Sequence, residues 1–294
     1  MRPLVIYDPL DLQSSEPPPL SEYGWRFLAE GDSWFTIGSL NPAKNSNLLF
    51  EMAFSRSACA VNCGYPGDEL RKMVRMNRDR RFMRLLHGRE ARHWDGLLLS
   101  AGGNDLIEAL KFTGDDVAPA QRLLRLPHEW GGSDEGVARF VSEPGWDAFA
   151  AYLRSNLQTM LAHRDRGPSA GSPLFMHCYA VPTPRPAGAG LGMGPWLLPS
   201  LQAYRIPAPD HPALAELLIQ RLAALLTACA AEPVAFPGLH VFDSTTLPIE
   251  RARPGTRGED GDWVNEIHLT WRGYEKLALA WAGEIERVLA PPGG

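Results

Sequence analysis

The chain reads as an α/β protein whose parallel sheet is covered by helices on both faces. Three observations predict this. Short apolar runs stop at glycine-containing turns, amphipathic segments of helical periodicity lie between them, and the unusual polar residues concentrate just after the runs. Strands that read as continuous apolar runs are those buried on both faces, and their alternation with helices is the mark of parallel pairing. A length of 294 residues would accommodate two average domains, but the single alternating series favours one domain over residues 1–294.

Residues 1–22, rich in Pro, Ser and Glu from residue 8 onward, are expected to be an irregular lead-in. Trp25 to Glu30 then forms a buried strand that ends at Gly31, and Ala58 to Cys63 forms a second. Gly67 to His87 carries helical periodicity, with Asp68 and Glu69 in the first turn where acids complement the helix dipole. Leu97 to Ser100, preceded by Trp94, is a third strand closed by Ala101-Gly102-Gly103, and a helix follows Asn104. Trp146 to Arg164 is helical, Pro173 to Ala180 strand-like, His211 to Ala231 strongly helical, Leu239 to Phe242 a last short strand, and Arg272 to Leu289 a closing helix. Residues 114–145 and 181–210, dense in Gly and Pro, interrupt the alternation. Loops of that length in a compact domain are usually functional, so both are expected near the site, with 181–210 as a mobile cover over its mouth.

The composition excludes several classes of function. With 45% hydrophobic and 21% charged residues the chain has material for a sizeable core. A net charge of −5 provides no global basic field for nucleic acid or an anionic membrane. The densest basic stretch, Arg71 to Arg92, interleaves its arginines with Met73, Val74, Phe82, Leu85 and Leu86, as a solvated helix face backed by a buried one does. Cys59, Cys63, Cys178 and Cys229 fall in or beside apolar segments without CxxC spacing or an accompanying His/Cys cluster, so they read as buried thiols and no metal site is expected. No stretch reads as long enough to span a bilayer. Asp8 and Asp11 interrupt the N-terminal apolar run before it could form a leader, and a cytoplasmic protein is the expectation.

In open parallel sheets ligands bind beyond the carboxyl ends of the strands. Four polar turns fall there or beside the last helix: Gly31-Asp32-Ser33-Trp34, Gly64-Tyr65-Pro66-Gly67, Gly102-Gly103-Asn104-Asp105 and Asn265-Glu266-Ile267-His268. Acyl transfer needs a hydroxyl, a base to take its proton, and donors aimed at the developing oxyanion. Ser33 supplies the hydroxyl and His268 the base. The backbone N–H groups of Ser33 and Gly67, with the Asn104 amide, supply the donors. Taken singly these residues read as a helix cap, a helix-entry glycine and a turn residue; their combination and order point to chemistry.

The GDSW at 31–34, VNCGYPGD at 61–68, GGND at 102–105 and NEIHLT at 265–270 resemble, in order and context, the four blocks of the SGNH (GDSL-like) hydrolases. The resemblance spans Gly31 to His268. It implies a flavodoxin-like three-layer α/β/α sandwich of about five parallel strands with loop insertions, and hydrolysis of a carboxylic ester (esterase, deacetylase or lipase-like) through an acyl-enzyme. It implies no cofactor and a small-molecule, lipid or carbohydrate ester as partner. Acyl transfer to an alcohol or sugar on the same residues, phospholipase action, and a binding module that has lost the reaction are the alternatives.

Two departures stand out. Asn265 occupies the place of the family's usual Asp three residues before the histidine, and Leu269 replaces the following proline. The group expected to orient His268 is Asn265, with Asp262, or a backbone carbonyl or Glu266, as the alternatives. An amide oxygen can fix the tautomer but lends less charge stabilisation than a carboxylate. Among the other histidines, His177 on the fourth strand is the one with a suggestive position, and Trp34 and Trp263 are candidate walls of the substrate pocket.

Overall fold

The computed structural model describes residues 1–37, 46–75, 80–190 and 192–290. Its strands are β1 (Arg2–Pro3), β2 (Val5–Tyr7), β3 (Trp25–Gly31), β4 (Ala53–Phe54), β5 (Ala58–Asn62), β6 (Gly96–Ser100), β7 (Leu174–His177) and β8 (Leu239–Phe242). β1 and β4 form a small antiparallel pair. The other six form one parallel sheet in the order β2-β5-β3-β6-β7-β8. Every residue of β6 and β7 is buried, as are nearly all of β3 and β5, so helices cover both faces of the sheet, as the continuous apolar runs require.

Without β2, the five longer strands follow the order 2-1-3-4-5, which is the flavodoxin-like arrangement. The sheet has six strands where about five were expected. The extra one comes from the supposed lead-in: Val5, Ile6 and Tyr7 pair with Cys59, Ala60 and Val61 of β5. The apolar run Leu4 to Tyr7 is too short to read as a strand by itself, with one exposed and two half-buried side chains over Val5–Tyr7, and the long-range partner makes it one.

The helices are α1 (Ser33–Thr36), α2 (Leu70–Met73), α3 (Arg80–Leu86), α4 (Gly103–Leu110), α5 (Glu143–Arg164), α6 (Leu198–Ala203), α7 (His211–Ala230) and α8 (Trp271–Leu289). The single helix expected over 67–87 is instead α2 and α3, and residues 76–79 lie outside the described residues. Its apolar face is as expected, since Met73, Val74, Phe82, Leu85 and Leu86 are all buried. Residues 114–145 contain three short 3₁₀ segments, Pro119–Gln121, Pro127–Glu129 and Ser133–Phe140, held by Arg122 forking onto Glu129 (2.7 Å for one of the two bonds). Cys59, Cys178 and Cys229 are buried, whereas Cys63, just past the end of β5, is half-buried.

One reading of the sequence needs correction. Ala208–Ala230, whose most apolar 18-residue stretch has a mean hydropathy of 1.6, is by length and composition apolar enough to cross a membrane. Here its Leu214, Leu218, Leu222 and Leu226 are buried in the core, while Glu216 and Arg221 pair with Arg251 and Glu143.

The winding direction sets where the site lies. From β3 the chain moves to β5 on one side, then returns to β6 on the other, so β3 and β6 are neighbours whose following turns diverge. Such a reversal opens a crevice at the carboxyl ends of the two strands. Gly31 and Ser100 are paired across them, which brings the GDSW and GGND turns side by side.

Candidate active site

Asp32, not Ser33, caps α1: its Oδ1 accepts from the Trp34 N–H at 2.9 Å. The Ser33 hydroxyl is thereby left for another partner, His268 Nε2, at 2.8 Å. The ring's other nitrogen, Nδ1, lies 3.0 Å from Asn265 Oδ1. With Nδ1 carrying the proton, Nδ1–H donates to the amide oxygen and Nε2 accepts from the serine. The same Asn265 oxygen also accepts from the backbone N–H groups of Ile267 (3.1 Å) and His268 (2.9 Å). One side-chain oxygen thus builds the turn and orients the ring.

The other two candidates for orienting His268 are engaged elsewhere. Asp262 Oδ2 accepts from Lys276 Nζ at 2.6 Å and from the Glu250 N–H at 2.7 Å. Glu266 turns its carboxylate away from the ring and onto residues 185–198. His268 is buried, and loss of hydration pushes its imidazole down to about 3. Among the described residues no carboxylate bonds the ring to offset that cost.

The second and third turns are fastened to each other. Residues 65–68 make a turn closed by Asp68 N–H to Tyr65 O at 3.2 Å, with Pro66 at its second position and Gly67 at φ +80° in its third. This is a type II turn, in which the third position demands the left-handed region that glycine alone enters freely. Gly64 is held for a different reason, because a Cβ there would come 2.7 Å from Gly31 O. Asn104 Nδ2 donates to Asp68 O at 3.1 Å, leaving its second amide hydrogen for a ligand. The next residue, Asp105, accepts from the Leu70 N–H at 3.0 Å, the Gly102 N–H at 3.2 Å and the Tyr152 hydroxyl at 2.5 Å. The first and fourth turns are joined by Trp34, whose indole Nε1–H donates to Ile267 O at 3.2 Å.

Behind the nucleophile's turn lies a buried polar chain that the sequence did not signal. Ser100 Oγ donates to Asp32 Oδ1 at 2.8 Å, and His177 Nε2 bonds Ser100 Oγ at 3.0 Å. The Tyr179 hydroxyl donates to Asp32 Oδ2 at 2.5 Å. Burial pushes the Asp32 carboxyl up to about 6, although these donors oppose the rise, and it pushes His177 down to about 3. Tyr179 holds φ at +57°, a region costly for a bulky L-residue and typically retained where a site needs the geometry. His177 is therefore close to the site yet bonded to Ser100, with its ring stacked on Trp34 at 5.4 Å.

A small cavity opens beside Ser33 and Asn104. Trp34 and Trp263 both line it, as the sequence suggested, together with apolar side chains of α4, α7 and residues 180–197. Residues 114–145 contribute none of its walls. Part of that segment instead lines a separate cavity on the other flank of α4, beside Asp105 and Tyr152.

Residues 181–210 do border the site: the Trp196 ring meets the His268 ring edge-on at 5.3 Å. Where a mobile cover was expected, part of the segment is tied down. Glu266, fully buried, accepts from the backbone N–H groups of Arg185 (3.1 Å), Leu197 (2.7 Å), Leu198 (2.9 Å) and Trp196. In return the buried Arg185 guanidinium donates to the carbonyls of Asn265 (2.9 Å), Trp263 and Gly258. Neither role had a local signature, because each depends on backbone groups far away in sequence.

No family model matches the chain, and no curated protein matches it. Among solved structures the fold is similar to an extracellular lipase from Streptomyces rimosus (15% identity, TM-score 0.45, covering 89% of this chain and 99% of that one). It is also similar to a carbohydrate acetylesterase from Sinorhizobium meliloti (12%, 0.44, 90% and 99%) and an aryl esterase from M. smegmatis (11%, 0.40, 90% and 100%). At these identities and TM-scores the likenesses carry no assignment of chemistry.

Proposed function

We propose that this protein is a serine hydrolase of the SGNH type that cleaves a carboxylic ester through an acyl-enzyme. The observation that carries the reading is the relay Ser33 Oγ–His268 Nε2–Asn265 Oδ1, with separations of 2.8 and 3.0 Å. Nucleophile and base within hydrogen-bond reach, and a third group orienting the base, are the geometric signature of an activated hydroxyl.

In this reading Ser33 Oγ attacks the acyl carbon while its proton passes to His268 Nε2. The carbonyl oxygen gains the negative charge and is met by the Ser33 N–H, the Gly67 N–H and the free hydrogen of Asn104 Nδ2. As the tetrahedral intermediate collapses, the C–O bond to the alcohol breaks and the imidazolium returns the proton to the departing oxygen. Water then attacks the acyl-serine, His268 takes its proton, and the carboxylic acid leaves with Ser33 restored. Asn265 holds Nδ1–H throughout. It fixes the tautomer without adding a negative charge, so the imidazolium is stabilised by the amide dipole alone.

The test is labelling with a fluorophosphonate probe, which phosphonylates only an activated serine. Wild type is expected to be labelled at Ser33, whereas Ser33→Ala and His268→Ala are not. Hydrolysis by either variant is expected to fall by several orders of magnitude, with the double variant little worse than the singles because the two residues act as a unit. Turnover within tenfold of wild type in folded Ser33→Ala puts the nucleophile elsewhere.

A further inference from the structure

We infer that the cavity beside Ser33 is an acyl pocket for short, uncharged aliphatic acyl groups, and that Glu266 determines this specificity by holding its wall closed. The inference rests on the reading of Ser33 as nucleophile. A scissile ester has two sides, and the alcohol side must lie against His268, since Nε2 returns the proton to the departing oxygen. Ser33 and Asn104 line the cavity and His268 does not, so the group lodged there is the acyl part.

Its size is small. The cavity volume is about 40 Å³, against roughly 10–15 Å³ for a single water-sized group. That is space for about three carbon atoms beyond the carbonyl, from acetyl to butyryl. The surrounding side chains include Leu106 and Ile107 of α4, Ile219 of α7, Leu197, Trp263 and Ile267, every one of them buried. Among the described residues the one ionisable carboxyl on the wall, Asp32, already accepts from Trp34, Ser100 and Tyr179. A charged acyl group would find no counter-ion here, and an unpaired buried charge is strongly disfavoured.

A pocket stays short only if its walls cannot retreat. Leu106, Ile107 and Ile219 stand on regular helices. Leu197 lies on a connecting segment, the kind of wall that would ordinarily yield, but its N–H is bonded to Glu266 at 2.7 Å and the Leu198 N–H to the same carboxylate at 2.9 Å. Moving Leu197 outward would strand a buried carboxylate and several backbone donors together. Glu266→Gln keeps the shape but replaces one acceptor oxygen with an NH₂ group that faces N–H donors. The wall should then loosen without any change in its apolar lining.

The experiment measures kcat/KM for p-nitrophenyl acetate, butyrate, hexanoate and octanoate, with the active serine titrated by a fluorophosphonate probe in each protein. Wild type is expected to accept acetyl and butyryl and to lose at least about tenfold at hexanoyl, since one methylene too many in an apolar pocket is worth roughly 10–200-fold. Ile107→Ala, which opens space within the cavity, and Glu266→Gln, which frees its wall, should each raise the hexanoate-to-acetate ratio by about tenfold. If Glu266→Gln fails to fold, Leu197→Ala tests the same wall. A wild-type profile flat to octanoyl, or variants that lower all four esters in equal proportion, overturns the inference while leaving a labelled Ser33 intact. Absence of labelling in folded wild type defeats the nucleophile reading itself.

Discussion

Replacing Asn265 by Asp changes one functional group on the atom that faces His268 Nδ1, and its effect can be worked out from the structure. In wild type the buried ring is pushed down to about 3, so the neutral form that accepts the serine proton persists well into acid. A carboxylate in place of the amide would put a negative charge next to a ring nitrogen now 3.0 Å from the amide oxygen. At an effective dielectric of about 20, opposite charges about 4 Å apart attract by about 4 kcal/mol, equivalent to roughly three pH units at about 1.4 kcal/mol each. Asn265 is itself buried, at 3% exposure; desolvation of the new carboxylate returns part of that gain, leaving a net change of about two pH units. The charge favours imidazolium, so the shift is upward. The acidic limb of kcat/KM should therefore rise by about two pH units, while the rate near neutrality is kept or raised. The assay is ester hydrolysis from about pH 3 to pH 9, read at a wavelength where product absorbance does not depend on pH. Acidic limbs that coincide in wild type and variant would refute the coupling. Asn265→Ala, which strands three N–H donors at once, should be harmful, and Asp262→Ala mild; the reverse order would return the orienting role to Asp262.

Two further outcomes follow from the same geometry. Asn104→Ala removes one oxyanion donor and should lower kcat by about a hundredfold to a thousandfold with KM little changed; a change confined to KM would assign Asn104 to substrate binding instead. His177 has its pKa depressed on folding, from 6.5 to about 3, so below pH 6.5 the unfolded chain binds a proton that the folded ring refuses, and acid favours unfolding. Compared with wild type, His177→Asn should lose less stability on acidification, by up to about 1.4 kcal/mol per pH unit across that window. Urea denaturation at several pH values measures it, and parallel pH dependences would mean that His177 is protonated in the native state.

The class of fold and the candidate residues of the site were legible in the sequence alone, because both are written in local patterns. Runs such as Leu97 to Ser100 are apolar throughout and end at glycines, so their burial on two faces and their ends can be read without knowing their neighbours. Ser33, Gly67, Asn104 and His268 each fall in a turn beside a strand or helix end, and the parallel sheet carries those turns to one edge. Where the decision rested on partners distant in the chain, only the tertiary structure made it. Val5–Tyr7 becomes a strand through β5. Asn265 was the favoured local candidate but Asp262 stayed open beside it, until Lys276 and the Glu250 N–H drew the Asp262 carboxylate away and left the amide oxygen facing the ring. Glu266 looked like a third candidate for the same task, yet the four backbone donors that converge on it come from residues 185–198. A hydrogen bond depends on position and direction in space, and sequence distance constrains neither once the chain has folded back on itself.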